Sequence, residues 1–320
     1  MFGEKMSGKT KTSFTGVLLL LLTALIWGSS FIAQNESIGF VKPFTFNAVR
    51  MLIGSLSLIP IILIKDKVDS ASLSSEQIEQ HKKNDKKILK YGILMGCTLC
   101  VASNFQQFSF EEPDHSAGKI AFITAMYMFI VPLLGLFLKK KVPLLTWLCV
   151  LLGFAGLYFL CIDSRGFGSI TFGNILAFCC AFFFAVHILL IARFAPDVDG
   201  IKLSCVQFFV CGVLSLVMMF IFEKPSLHSI FEAKLPILYS GILSCGVAYT
   251  LQVIGQKFCE ETIASLLMCM ESVFAVLCEA ACSAWFGFGG KVLSEREIIG
   301  CAIMFAAIIL SQLVQLKKER

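Results

Sequence analysis

In a chain that is 57% hydrophobic, side chains able to do chemistry are scarce and their spacing is informative. Tyr249, Gln252 and Gln256 fall at i, i+3 and i+7, a single stripe on one face of an α-helix. Glu271 stands near the middle of the next apolar run, and Glu279 lies two turns beyond it, about 80° around the helix. Cys97, Cys100, Asn104 and Gln107 repeat the stripe geometry at i, i+3, i+7 and i+10, while Arg50 and His187 lie deep in two other apolar runs. A charged side chain at bilayer depth costs about 3 kcal/mol or more unless it faces protein or water, so such residues are functional by default. The chemistry open to them is noncovalent: hydrogen bonding to a polar solute, carrying a proton, or pairing with one another.

Each of these residues also has a structural reading. Glu271, about 14 Å from one face at the helical rise, is a substrate or proton site or else a carboxylate that pairs helices in a hydrogen-bond network. Arg50, about 9 Å from the opposite face, must pair or line water, with Glu271 and Glu279 as candidate partners. Glu279, near the interfacial Trp285, is an outer-mouth or ion-pair residue, or it simply reaches headgroup water. His187 is a ligand or proton carrier or a satisfied packing histidine. Trp27 and Tyr127 can stack on a solute or pack among the 31 phenylalanines. Asn104, Gln107 and the Tyr249 stripe can bind solute or join helices, each interhelical hydrogen bond contributing roughly 0.6–2 kcal/mol.

The elements that must position these groups are transmembrane helices. Only 15% of residues are charged and the mean hydropathy is +0.82, far outside the soluble range, so the chain reads as an all-α integral membrane protein lodged in a lipid bilayer. Most of the 14 cysteines lie inside apolar runs and read as small packers rather than a disulfide framework. Cys97-x-x-Cys100 lacks the context of a redox or metal motif, and with four scattered histidines no metal site is expected. No lysine follows a glycine loop in Walker fashion, so neither a nucleotide nor any other cofactor is implied. The net charge of +5 marks no nucleic-acid partner, because the lysines cluster at membrane edges.

Ten apolar stretches approach the ~20 residues that cross a ~30 Å hydrocarbon core. They run over 14–33, 44–64, 88–110, 117–138, 143–162, 172–193, 201–222, 236–258, 262–286 and 296–316. The first exceeds a secretory h-region and lacks a clear cleavage site, which makes it a span preceded by a tail, 1–13. Of the 27 Lys and Arg, 19 fall on the side of the termini and 7 on the other, with Arg50 inside a span. The positive-inside rule then places both termini in the cytoplasm and the protein in the cell membrane. The one long connection, 65–87, is rich in Ser, Gln and Lys and reads as a solvated linker; Glu111-Glu112-Pro-Asp114-His115 reads as a solvated acidic loop.

Two five-helix halves, 14–162 and 172–316, are related by a faint repeat. Gly16-x-Leu-Leu-Leu-Leu with Trp27 overlies Gly173-x-Ile-Leu-Ala-Phe with Phe184, an offset that puts Arg50 on Gln207. Tyr91-Gly-Ile-Leu94 matches Ser240-Gly-Ile-Leu243 and sets Gln107 on Gln256. Five is odd, so the halves are inverted, an arrangement typical of secondary transporters that bind substrate near mid-membrane between the repeats. Gln107 and Gln256 would then flank a central site from opposite ends. Gly92-x-x-x-Gly96 and Gly153-x-x-Gly156 read as close helix packing.

Ala24-Leu-Ile-Trp27-Gly28-Ser29-Ser30-Phe31 resembles the Trp-Gly-Ser signature of the EamA-type drug/metabolite transporter family. Arg50 resembles that family's arginine in the second span, and Gly246-Val-Ala-Tyr-Thr-Leu-Gln252 and Met270-Glu271-Ser-Val-Phe-Ala275 resemble its later motifs. Where the family usually has proline after the glutamate this chain has Ser272, which removes the residue that would kink the helix. The resemblance implies a ten-helix inverted-repeat carrier that is not an enzyme and moves small metabolites, often outward. Its pocket would be lined by the first, third, fourth, sixth, eighth and ninth spans. The expected solute contacts are Trp27, Ser30, Asn104, Gln107, Tyr127, His187, Tyr249, Gln252 and Glu271, with Arg50, Gln256 and Glu279 as gating or ion-pair residues. Amino acids or related amphiphilic solutes suit such a lining, with protons as a coupling partner through Glu271. The competing readings are a flippase for lipids or lipid-linked sugars and, less favoured by the short loops, a membrane enzyme acting on lipid.

Overall fold

A computed structural model describes residues 13–70, 75–111, 117–140, 142–162, 166, 170–286 and 293–319. Within them are ten helices long and apolar enough to cross a membrane: α1 (Phe14–Ser37), α2 (Pro43–Val68), α3 (Asn84–Ser109), α4 (Ile120–Phe137), α5 (Leu144–Cys161), α6 (Phe172–Asp197), α7 (Gly200–Phe222), α8 (Lys234–Phe258), α9 (Glu261–Ala281) and α10 (Glu295–Leu313). The tail lysines Lys5, Lys9 and Lys11, the loop residues Glu112, Asp114 and His115, and the side chain of Trp285 lie outside the described residues.

The packing obeys the exchange of halves. α1 packs on α8 and α9, and its counterpart α6 packs on α3 and α4; α2 lies along α7, and α5 along α10. Each half thus lends its helices to the other, giving two mixed groups, α1/α8/α9 and α3/α4/α6. The expected glycine contacts are present: a Cβ at Gly92 or Gly96 would stand 2.5–2.7 Å from Val206 and Val210 of α7, and one at Gly156 2.8 Å from Met304 of α10. Large apolar side chains such as Phe137, Leu144, Phe220 and Leu235 point outward, as lipid-facing positions must.

Capping follows the same pseudo-symmetry. Ser13 and Thr171 accept the backbone N–H groups of Gly16 and Asn174 to start α1 and α6. Asp199 accepts from the N–H groups of Ile201 (2.8 Å) and Lys202 (3.1 Å) at the head of α7 and is bridged by Lys65 at the foot of α2. At the opposite face Glu223, just past α7, accepts from the N–H groups of Phe44 and Thr45, both at 2.8 Å, and so caps α2. Lys202 pairs with Asp66 at 2.8 Å and Lys140 with Glu261, both on the face that carries the termini.

Two findings concern local structure. In the 65–87 connection, read from sequence as a solvated linker between helices, helix continues to Ser70 and resumes at Ser75, as suits a stretch with neither Gly nor Pro. α9 is interrupted without any proline. Helix ends at Met268, Cys269 forms a turn, and helix resumes at Met270. α4 is broken likewise between Thr124 and Tyr127, and the two breaks meet, the Cys269 thiol lying 3.7 Å from the Ala125 carbonyl oxygen.

Candidate functional site between the two halves

Glu271 is the eleventh of the 21 residues of α9, half-way along the span and two residues past its break. Tyr127 begins the second segment of α4, and its hydroxyl donates to Glu271 Oε1 at 3.2 Å. The paired breaks therefore bring an acid from one half and a phenol from the other onto a common cavity, narrow enough that only about 30 Å³ of it can take the centre of a water molecule. Discontinuous helices meeting at the midplane are the usual way membrane carriers present polar groups to a solute.

Above the break, α1 presents Trp27, Phe31 and Gln34 to the cavity, a run at i, i+4 and i+7. The Trp27 ring stands edge-on to Tyr249 with centroids 4.6 Å apart, and its Nε1–H reaches the Ser244 carbonyl at 3.4 Å. That carbonyl belongs to a π-helical stretch, Ser240–Tyr249, whose wide turns leave backbone oxygens for side chains: Ala248 likewise accepts from the Thr23 hydroxyl at 3.1 Å. Tyr249 and Gln252 both face the cavity, as their shared stripe predicts, and the Gln252 Oε1 is buried without a protein partner.

Arg50 also lines this cavity, 2% exposed. The expected ion pair with Glu271 or Glu279 is absent. Arg50 Nε donates to Asn47 Oδ1 at 2.8 Å, its guanidinium sits 4.9 Å from the Phe46 ring centroid, and its other N–H groups have no acceptor among the described residues. Asn47 in turn donates to Asn104 Oδ1 at 3.0 Å, and Asn104 to the Ser215 hydroxyl at 3.0 Å and the Cys100 carbonyl at 2.8 Å. Asn104, expected to touch solute, instead holds Arg50 in place from behind. Once Asn47 fixes Nε, the free face of the guanidinium points to the cavity, where a two-pronged anion fits it.

Other expectations need correction. Gln106, not Gln107, lines the cavity; Gln107 Nε2 turns to the Gln34 carbonyl and the Ser37 hydroxyl, both at 3.5 Å. Gln256 bonds the Ile188 carbonyl at 3.3 Å, one turn beyond the lining. His187 is fully buried behind Tyr249, ring centroids 6.3 Å apart, with its Nε2 2.9 Å from Gln207 Oε1, and it lies outside the cavity lining. Ser30 is buried off the cavity without a partner among the described residues, and Glu279 lies on an exposed part of α9. Cys97, the member of the α3 stripe nearest the termini face, is exposed on the protein surface.

The lining omitted from the expected set comprises Phe31, Gln34, Gln106, Thr124, Phe184, Ile188, Ser244 and Met268. Phe184 was accessible through the repeat register that matches it to Trp27, since both line the cavity. Gln34 was accessible as the next step of the Trp27–Phe31 face. The stripe spacing and the repeat register single out Gln107, and neither points to Gln106. Arg50 adds α2 to the expected lining helices. Among the described residues no cluster of three or more His, Cys, Asp or Glu could hold a metal ion.

Comparisons with known proteins place this architecture. The model of the EamA-like transporter family matches the chain twice, over 14–162 and 171–313, the two halves. An uncharacterized transporter of Archaeoglobus fulgidus is 26% identical over 295 residues, covering 92% of this chain and 84% of that protein. The uncharacterized transporter YoaV of Bacillus subtilis is 23% identical over 240 residues, covering 73% of this chain and 76% of that protein. A crystal structure titled only as that of a protein superimposes with a TM-score of 0.72 at 21% identity, covering 95% of this chain and 99% of its own; at that identity it speaks for the fold alone.

Proposed function

Because the chain belongs to the EamA-like transporter family, we propose that it carries small zwitterionic metabolites, amino acids or close relatives, outward across the cytoplasmic membrane by alternating access. The observation that carries this reading is the pair Arg50 and Glu271. They come from opposite halves, have opposite charge and line one cavity, yet make no ion pair with each other. A solute carboxylate suits the free guanidinium face and a solute ammonium suits Glu271, while Trp27 and Tyr249 accommodate an apolar side chain. Binding such a solute completes two desolvated charge contacts that neither residue makes alone.

Alternating access fits a cavity this narrow, because a solute enters only if the α1/α8/α9 and α3/α4/α6 groups part on one side. Lys and Arg counts favour a cytoplasmic location for the termini. Proton coupling is assigned to Glu271, whose one hydrogen-bond partner among the described residues is Tyr127, so that its carboxyl can exchange a proton for the solute ammonium. No metal, nucleotide or covalent step enters, and the protein acts as a carrier rather than an enzyme.

Uptake of radiolabelled amino acids into proteoliposomes tests this. Wild-type protein accumulates solute in response to a pH gradient, whereas Glu271→Gln protein that remains folded loses that response. An unchanged pH response would remove the proton assignment. Absence of any solute movement together with lipid scrambling in the same vesicles would replace the carrier reading by a flippase.

A further inference from the structure

Among the contacts between the two mixed helix groups, each end of the cavity has one made by a glutamine amide. At the face away from the termini, Gln107 of α3 reaches the backbone carbonyl of Gln34 in α1. At the termini face, Gln256 of α8 reaches the backbone carbonyl of Ile188 in α6. The exchange of halves converts one contact into the other, α3 into α8 and α1 into α6. Each joins one helix group to the other: Gln107 bonds the backbone of the cavity-lining Gln34, and Gln256 lies one turn beyond the cavity-lining Gln252.

Both bonds are long for N–H···O, 3.5 and 3.3 Å, where 2.7–3.2 Å is usual. Both glutamines are 2% exposed, and both leave their Oε1 buried without a partner among the described residues. The neighbouring lining amides share the defect, with Oε1 of Gln34 at one end and Oε1 of Gln252 at the other buried and unpaired. An unpaired buried carbonyl oxygen forfeits the hydration it has when exposed. Closing either end therefore carries a desolvation penalty located at the closing contact, and opening that end hydrates two amide oxygens.

We propose that Gln107 and Gln256 are paired latches whose incomplete hydrogen bonding keeps each end of the transporter from closing permanently. With both ends shut, four amide oxygens are dry; parting one end relieves two of them. The doubly closed conformation is thereby held above the two one-side-open forms, and the symmetry of the latches keeps those forms comparable. This rests on the alternating-access reading but concerns the ends, not solute recognition.

Hydrogen–deuterium exchange on the full chain in lipid nanodiscs, without solute, tests the latches separately from transport. Gln107→Met keeps the length of the side chain and removes its unpaired oxygen. It is expected to slow exchange several-fold in 103–110 and 31–38 and to speed exchange in 252–260 and 186–192. Gln256→Met is expected to do the reverse. Gln107→Glu, which demands hydration at the same position, is expected to speed exchange in 103–110, a sign opposite to Met at one site, and it serves if a Met variant fails to fold. Changes of the same sign at both ends, or none in variants with wild-type thermal stability, would overturn the latches. Such a result would leave the carrier reading standing, since exchange requires no solute; a protein that moves no solute would leave the exchange test intact.

Discussion

Gly28 sits where α1 meets α9 beside Glu271, and adding a single methyl there tests whether that contact holds the site. A Cβ at Gly28 would stand 2.6 Å from the Glu271 carbonyl oxygen, 2.7 Å from the Ala275 nitrogen and 2.7 Å from the Phe274 Cβ. None of these atoms can rotate away. Real Cβ contacts essentially never fall below 3.0 Å and become ordinary at 3.4 Å. Gly28→Ala must therefore open the approach by roughly 0.8 Å, an overpacking that costs about 1–3 kcal/mol. The carboxylate of Glu271 moves with its backbone, so solute affinity should fall about tenfold, the equivalent of one net hydrogen bond. Thermal unfolding in detergent and equilibrium solute binding would be measured beside Gly39→Ala, where an added Cβ meets nothing within 4 Å. If Gly28→Ala matches Gly39→Ala in both, α1 does not fix α9 at the site and the packing argument fails.

Three further predictions concern the caps and the aromatic wall. Burial alone would raise the Asp199 pKa, but the Lys65 ammonium and the N–H groups of Lys202 and Ile201 hold it below its ordinary value of 3.8. Its contribution to stability is thus complete above about pH 4 and is lost as pH falls through the lower folded value. Asp199→Ala should lower thermal stability by the equivalent of about 1–2 kcal/mol at pH 7, with the difference from wild type shrinking below pH 4. Glu223→Ala removes the acceptor of two α2 backbone N–H groups and the Thr45 hydroxyl, so thermal unfolding should show a loss of similar size. Trp27→Phe keeps the ring against Tyr249 but loses the bond to the Ser244 carbonyl, and isothermal titration should show a several-fold weaker solute affinity with little change in stability.

The spans were legible because a bilayer needs about 20 apolar residues per helix and nothing in a lipid-facing run disguises that length. Tyr249, Gln252 and Glu271 were legible as cavity residues because polar groups in such runs need a reason. Their neighbours were not, since Phe31, Ile188 and Met268 are ordinary apolar residues whose role depends on which helix lies opposite. The stripe in α3 pointed to Gln107, but the rotation of the packed helix turns its neighbour Gln106 to the cavity and Gln107 to α1. Depth alone makes Glu271 and Glu279 candidate partners for Arg50, whereas Asn47, one turn away on the same helix, satisfies Nε locally. The break in α9 carried no proline signal; it coincides with the matching break in α4, a tertiary contact that local composition does not announce.

Binding of a free amino acid, its methyl ester and its N-acetyl derivative to purified protein measures the central claim most directly. Wild-type protein should prefer the free compound over both. Arg50→Met should abolish the preference over the ester alone, and Glu271→Gln the preference over the N-acetyl form alone. Equal binding of all three by wild-type protein, or loss of both preferences in each variant, would contradict a cavity that reads the two ends of a zwitterion with one residue from each half.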